Sequence, residues 1–231
     1  MLKIIYDNLE KKKKLLITYF NQNCFNAYHT DTIYKKLLDD MFVVYPDGAG
    51  MYLALKLLFR KNYIQFNATD FNERVINSLI TNNNSFFIIG GNFNKNLLYN
   101  KFNCSPGFLG YKFGYFNVED YPSIFKEINH LNPDVIIIGM GVPKQEIFAY
   151  ELYQNTNASI YLCVGNFLEF YFKTVKRIPS KYRNKGIEWL YRIMQDPNRL
   201  WKRYLIGIPL FIFRVIKYKF INLKTAYNHE K

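Results

Sequence analysis

Short apolar runs, several of them closing on glycine, recur along this chain with amphipathic stretches between them. Leu15–Phe20 (LLITYF) and Met41–Tyr45 (MFVVY) come first. Ser85–Ile89 ends at Gly90-Gly91, Asp134–Ile138 at Gly139-Met140-Gly141, and Ser159–Val164 at Gly165-Asn166. Runs this short, rich in β-branched and aromatic residues and stopped by glycine, read as buried strands. Helical stretches are expected over Thr32–Asp40, Gly50–Phe59, Asp70–Leu79, Lys95–Phe102 and Glu119–Leu131, and from Pro143 onward. Strand followed by helix, repeated, predicts an α/β fold with a doubly wound, mainly parallel, Rossmann-like sheet. Such sheets bind ligands outside the carboxyl ends of their strands, where these glycines fall.

Charge changes the picture at one end. The 231 residues carry a net charge of +13, yet residues 175–231 hold 14 basic and 3 acidic side chains. The first 174 residues are therefore close to balanced. The basic residues alternate with Trp189, Leu190, Tyr191, Leu200, Trp201 and Tyr204. That mixture predicts a basic, amphipathic helical appendage suited to an anionic surface or ligand. The expected division is a core over 1–195 and a membrane-associating appendage over 196–231. The longest uncharged run of the tail, Tyr204–Phe213, is about half of the ~20 residues a spanning helix needs, so the tail should lie in an interface and not cross one. Leu15–Phe20 is too short for a secretion signal. Cys24, Cys104 and Cys163 are widely spaced, which argues against a disulfide framework or zinc site and for a reducing compartment. His29, His130 and His229 fit no catalytic or metal-binding spacing.

Four constellations can carry chemistry. Tyr45-Pro46-Asp47-Gly48-Ala49-Gly50 sets a carboxylate at a strand end beside small residues. Asp47 can serve there as a general base, or only as a turn or cap residue. Gly139-Met140-Gly141-Val142-Pro143-Lys144-Gln145-Glu146 reads as an anion-binding turn opening a helix, or as an ordinary glycine-rich turn with Glu146 favouring the helix dipole. Gly165-Asn166-Phe167-Leu168-Glu169-Phe170 offers Glu169 to a base or sugar. Arg192, Arg199, Lys202 and Arg203 are spaced so that one helix face, or a bent helix pair, can present them to a diphosphate. A nucleic-acid-binding role for the basic tail is an alternative, although no nucleic-acid motif accompanies it.

Taken in order, these segments resemble one family, the WecG/TagA/CpsF bacterial glycosyltransferases. The resemblance runs from about Thr18 to Phe211. It is carried by PDGAG (46–50), the Thr69-Asp70 pair, IGG (89–91), GYF (114–116), GMGVPKQE (139–146), VGNFLEF (164–170), VKRIP (175–179) and GIEWLYRIMQDPNRLWKRYLIG (186–207). It implies inverting transfer of an N-acetylmannosamine-type or related sugar from a UDP-sugar to a sugar on a polyprenyl diphosphate, in cell-surface polysaccharide assembly. It further implies a peripheral enzyme on the cytoplasmic face of the membrane, without cofactor or metal; the chain also lacks the DxD motif of many metal-dependent transferases. A homo-oligomer is compatible with it and a nucleic-acid partner is not expected.

By this resemblance Asp47 is the catalytic base. Asn21, Thr69, Asp70, Gly90, Gly91, Tyr115, Lys144, Gln145, Glu169, Arg192, Arg199, Lys202 and Arg203 bind substrate. The chain departs from the family pattern at Tyr19 (usually Thr), Gln65 (Arg), Ala68 (Gly), Glu169 (Asp) and Lys173 (Gly). These changes put the donor sugar in doubt, and a non-catalytic scaffold of the same fold is the remaining alternative. Removal of the residues after about Asp196 is expected to leave a soluble core without activity.

Overall fold

The structure, a computed structural model, describes residues 1–61, 63–102, 105–176, 178–179 and 187–229, with side chains through Ile221. Cys104 and Arg177 of the VKRIP segment lie outside the described residues. The chain gathers into two compact units. One holds Met1–Tyr19, Asp31–Val44 and Ala68–Arg177; the other holds Phe20–Thr30, Tyr45–Asn67 and Ile178–Lys231.

The first unit is built on a six-stranded parallel sheet. Its strands are β1 (Leu15–Phe20), β2 (Phe42–Pro46), β3 (Phe86–Gly90), β4 (Phe108–Lys112), β5 (Val135–Gly139) and β6 (Ile160–Cys163), in the order β2-β1-β6-β5-β3-β4. The apolar runs are fully buried in the middle of the sheet: every residue of β3 and β6 is buried, as are Val135–Ile138 of β5. That is the pattern of strands covered on both faces. Gly90 pairs with Gly139 across β3 and β5, so two strands end level on glycine. The strand order reverses beside β1. The chain leaves β1 for β2 on one side, builds β3 and β4 on the other, and returns through β5 and β6.

Around the sheet lie α1 (Leu2–Glu10), α3 (Thr32–Asp40), α5 (Ala68–Thr81), α6 (Lys95–Phe102), α7 (Tyr121–Leu131), α8 (Lys144–Asn155) and α9 (Phe167–Tyr171). Their ends have local causes. Asp31 caps α3 by accepting from the Tyr34 amide at 2.9 Å. Pro122 suits the first turn of α7, and a 3₁₀ turn over Val118–Asp120 precedes that helix, so it starts later than its periodicity implies.

The second unit contains α2 (Gln22–Thr30), α4 (Gly48–Phe59), α10 (Glu188–Gln195), α11 (Pro197–Trp201), a π-helical turn (Lys202–Ile206) and α12 (Gly207–His229). Its apolar centre is Met51 and Ala54 of α4 against Phe211 and Val215 of α12, with Phe25 of α2 packed alongside. The Phe25 and Phe211 rings meet edge to face at 5.3 Å. A polar clamp backs this packing. Asn26 donates to the Gly207 carbonyl at 2.7 Å, and Arg214 donates to the Asn26 side-chain and backbone oxygens at 2.9 and 3.1 Å. The basic tail is thus an integral part of this unit. No helix among the described residues is long and apolar enough to cross a membrane.

Candidate active site

Asp47 occupies the N-cap position of α4, with extended backbone angles, but its side chain makes no cap hydrogen bond. A plain capping role would spend the carboxylate on the helix amides. The amides of Asp47 and Gly48 donate instead to the carbonyls of Phe20 and Phe66, at 2.9 and 3.1 Å, which fixes the turn from the backbone. Gly48 has φ +83°, and a Cβ there would meet nothing within 4 Å. Glycine therefore serves the backbone conformation and leaves open space beside Asp47.

Asn21 lies across from it. The Asn21 Oδ1 accepts from the amides of Asn23 and Cys24 at 3.0 and 3.2 Å, capping α2. This orients the amide so that Nδ2 faces Asp47 Oδ2, in a long contact of 3.5 Å. Arg192 of α10 joins the same electrostatic group. Its Nη2 donates to Glu188 Oε1 at 2.6 Å, with the Arg192 side chain 18% exposed. Burial opposes its charge, but Glu188, Tyr204 and Asp47 outweigh that and hold the guanidinium above its ordinary range. Asp47, Asn21 and Arg192, drawn from three stretches of sequence, thus belong to one unit and one electrostatic neighbourhood.

Of the two arrangements that the sequence allows for the other basic candidates, the chain adopts the bent one: Arg192 lies on α10, and Arg199, Lys202 and Arg203 lie in the helical segments that follow it. The chain breaks at Asp196-Pro197, and Asp196 caps α11 by accepting from the Arg199 amide at 3.3 Å. Arg199 Nε also donates to Asp196 Oδ2 at 2.6 Å. Lys202 and Arg203 fall in the π-helical turn, the first 5.5 Å from the Trp201 ring centre and the second 5.6 Å from that of Tyr204.

In the first unit, Thr69 and Asp70 stand in the opening turn of α5 and are partly buried. The Cβ space of Gly90 is taken by the Gly139 backbone and that of Gly91 by the Phe93 ring, so close packing accounts for both glycines. Tyr115 is 70% exposed, beside Phe113. Lys144 is exposed at the start of α8, 5.5 Å from the centre of the Phe116 ring. The amides of Gln145, Glu146 and Ile147 donate to the carbonyls of Gly141 and Pro143. These bonds close the first turn of α8 on the carbonyls of the glycine-rich turn after β5. Glu169 sits in the first turn of α9, and its carbonyl accepts from Thr174 and Val175.

Gln145 is fully buried with both ends of its amide engaged. Its Oε1 accepts from the Gly165 amide at 2.9 Å, and its Nε2 donates to Glu146 Oε1 at 2.8 Å. Thr18 donates to that same oxygen at 2.7 Å. Glu146 lies in the first turn of α8, as its place in the sequence implies. It is wholly buried, and burial pushes its carboxyl up to about 7 despite the two donors. This Thr18–Glu146–Gln145–Gly165 chain ties the ends of β1 and β6 to α8. Sequence reading missed Thr18 and did not foresee that Glu146 is buried, because an acid in a first helical turn usually faces water. Tyr19 lies in the same region: a Cβ on Gly165, at φ +59°, would collide with the Tyr19 hydroxyl oxygen. Asn26, Arg214 and Glu188 were also unforeseen: Asn26 and Arg214 carry no local motif, and Glu188 lies within the 186–207 segment without a distinguishing local signal. Among the described residues, no three His, Cys, Asp or Glu side chains gather as a metal site requires.

Sequence comparison with known proteins points the same way as the fold. The family described as glycosyl transferase WecG/TagA/CpsF matches residues 1–225. A Staphylococcus aureus (strain MW2) protein named N-acetylglucosaminyldiphosphoundecaprenol N-acetyl-beta-D-mannosaminyltransferase is 26% identical over 216 residues, covering 91% of this chain and 83% of its own length. Its counterpart in S. aureus strain MRSA252 is 27% identical over 218 residues, with the same coverage.

Proposed function

The chain belongs to the WecG/TagA/CpsF glycosyltransferase family, and from that premise we propose that it moves an N-acetylmannosamine-type or related sugar from a UDP donor to a polyprenyl-diphosphate-linked N-acetylglucosamine. One observation carries this reading. The Asp47 carboxylate stands at the start of a helix, beside open space, across from Asn21 and in the field of Arg192.

In this reading Asp47 accepts the proton of the acceptor hydroxyl as that oxygen attacks the anomeric carbon. The bond from the anomeric carbon to the UDP oxygen breaks, and the electron pair leaves with the diphosphate. Attack from the face opposite the leaving group inverts the anomeric centre. Arg192 supplies fixed positive charge to a diphosphate, with Arg199, Lys202 and Arg203 as further cations, so the reaction needs no metal. The name of the S. aureus relatives supports the acceptor and the sugar class. The basic, lipid-compatible α12 supports work at the cytoplasmic face of the membrane.

The test is UDP release from a panel of UDP-sugars, with an alkyl- or polyprenyl-diphosphate-N-acetylglucosamine acceptor and EDTA present. Release that requires acceptor, survives EDTA and falls about 10²–10⁴-fold in Asp47→Asn is expected. Unchanged turnover in Asp47→Asn would overturn the assignment of the base.

A further inference from the structure

The helix that begins at Asp47 carries a second surface that the transfer reaction does not use. One side of α4 is committed: Met51 and Ala54 are buried against Phe211 and Val215, with Leu55 and Leu58 packed on that cluster. The other side is open. Leu53 is 60%, Leu57 40% and Phe59 53% exposed. Lys56 and Arg60 are exposed in the same stretch. Positions 53, 56 and 57 follow the i, i+3, i+4 spacing of a single helix face, and Phe59 and Arg60 follow at the C-terminal end of the helix, where Arg60 is the cap. An isolated exposed leucine needs no explanation; three large apolar side chains around two cations on one short helix do.

We propose that this face of α4 is a lipid-contacting surface, which seats the helix bearing Asp47 on an anionic bilayer. The proposal rests on the reading above in one respect, that the acceptor is borne by a membrane lipid. Charge selects the occupant. The sequence contains no acidic residue from Gly48 through Thr69, and none from Pro197 through His229, so neither α4 nor α12 sets a carboxylate against an anionic surface. α12 packs directly on α4 and leaves Phe213 63% and Phe220 62% exposed, near Lys217 and Lys219. Apolar side chains flanked by lysine and arginine are what a helix lying in the headgroup region requires. A second copy of the chain fits less well, because a two-fold contact through this face would set Lys56 and Arg60 against their own copies. The consequence is mechanical. The same helix touches lipid and begins at the proposed base, so contact with the bilayer fixes Asp47 relative to the headgroup layer from which the acceptor reaches up.

The experiment uses the full chain without donor or acceptor, so that its failure is separate from failure of the transferase reading. Co-sedimentation with phosphatidylcholine vesicles is compared with co-sedimentation with vesicles also containing phosphatidylglycerol. The double variant Leu53→Ser/Leu57→Ser, which leaves the buried side of α4 intact, is expected to bind the anionic vesicles about tenfold or more weakly, with an unchanged melting profile. In Leu57→Trp, nitroxide-labelled lipid is expected to quench fluorescence beyond the level of the parent protein. Unchanged vesicle affinity of the double variant, together with no added quenching at position 57, would overturn the proposal. A change in mass by light scattering with intact vesicle affinity would overturn it in favour of a contact between copies.

Discussion

Asp47 and Arg192, on α4 and α10, stand in one electrostatic neighbourhood: the carboxylate helps to hold the Arg192 charge against the cost of its burial. Glu188 makes the direct ion pair with Arg192, at 2.6 Å. The guanidinium is therefore oriented by one acid and biased by another. Arg192→Ala is expected to lower kcat about 10²–10³-fold, the range for losing one charge-stabilising donor. Arg192→Lys should recover only part of this, since an ammonium lacks the planar fork. Steady-state UDP release with a melting curve on each variant separates a catalytic from a folding effect.

Asn21→Asp tests the contact with Asp47. An aspartate keeps the oxygen that accepts from the Asn23 and Cys24 amides, so the start of α2 should hold. It also sets a second carboxylate where Nδ2 faced Asp47. Two adjacent carboxylates resist joint ionisation. The acidic limb of the rate profile should move to higher pH, with Asn21→Ala showing no such displacement.

Glu146 makes stability depend on pH in a defined direction. Burial raises its folded-state pKa to about 7, whereas a glutamate in an unfolded chain titrates near ~4.3. Between about pH 4.3 and about pH 7 the folded chain keeps a proton that the unfolded chain releases. Stability from this group therefore falls as pH rises through that window and is level above it. Glu146→Gln should remove this component, so the melting temperature of the variant relative to wild type should rise from about pH 5 to about pH 8. A pH-independent difference would count against a protonated Glu146.

Lys173 stands where the family usually has glycine, and its backbone keeps a left-handed angle, φ +58°. A side chain in that region costs about 1–2 kcal/mol, and glycine avoids it. Allowing for the greater freedom of glycine in the unfolded chain, Lys173→Gly should stabilise the protein by up to about 1 kcal/mol, read by denaturant unfolding.

The packing of α12 alters what truncation should do. Removing the residues after Asp196 would uncover Met51, Ala54 and Phe25, which pack on Phe211 and Val215. The truncated chain is expected to aggregate or to melt in a less cooperative transition than the full chain. Phe211→Ala alone should cost about 3 kcal/mol, as for a buried phenylalanine. A truncated chain that stays monomeric with an unchanged melt would show that α12 is dispensable for folding.

The features legible in the chain order are those with a local cause. Short, largely apolar runs, three of them ending on glycine, have few alternatives to buried parallel strands, and β1, β2, β3, β5 and β6 lie within a residue or two of those runs. The helices α3, α5, α6 and α8 likewise carry their own periodicity and boundary residues. The edge strand β4 escaped because Gly110 interrupts FLGYK, and pairing with β3 supplies what the segment lacks. Helix α2 escaped because its apolar partners, Phe211 and Tyr218, are distant in sequence. Asp47 was nameable from its strand-end setting and from the family resemblance. Three things were not legible: whether its carboxylate was spent on capping, which cation shared its field, and that Gln145 and Glu146 were buried together. Burial and charge coupling depend on distances between segments that the chain order does not encode locally, and packing alone brings those segments together.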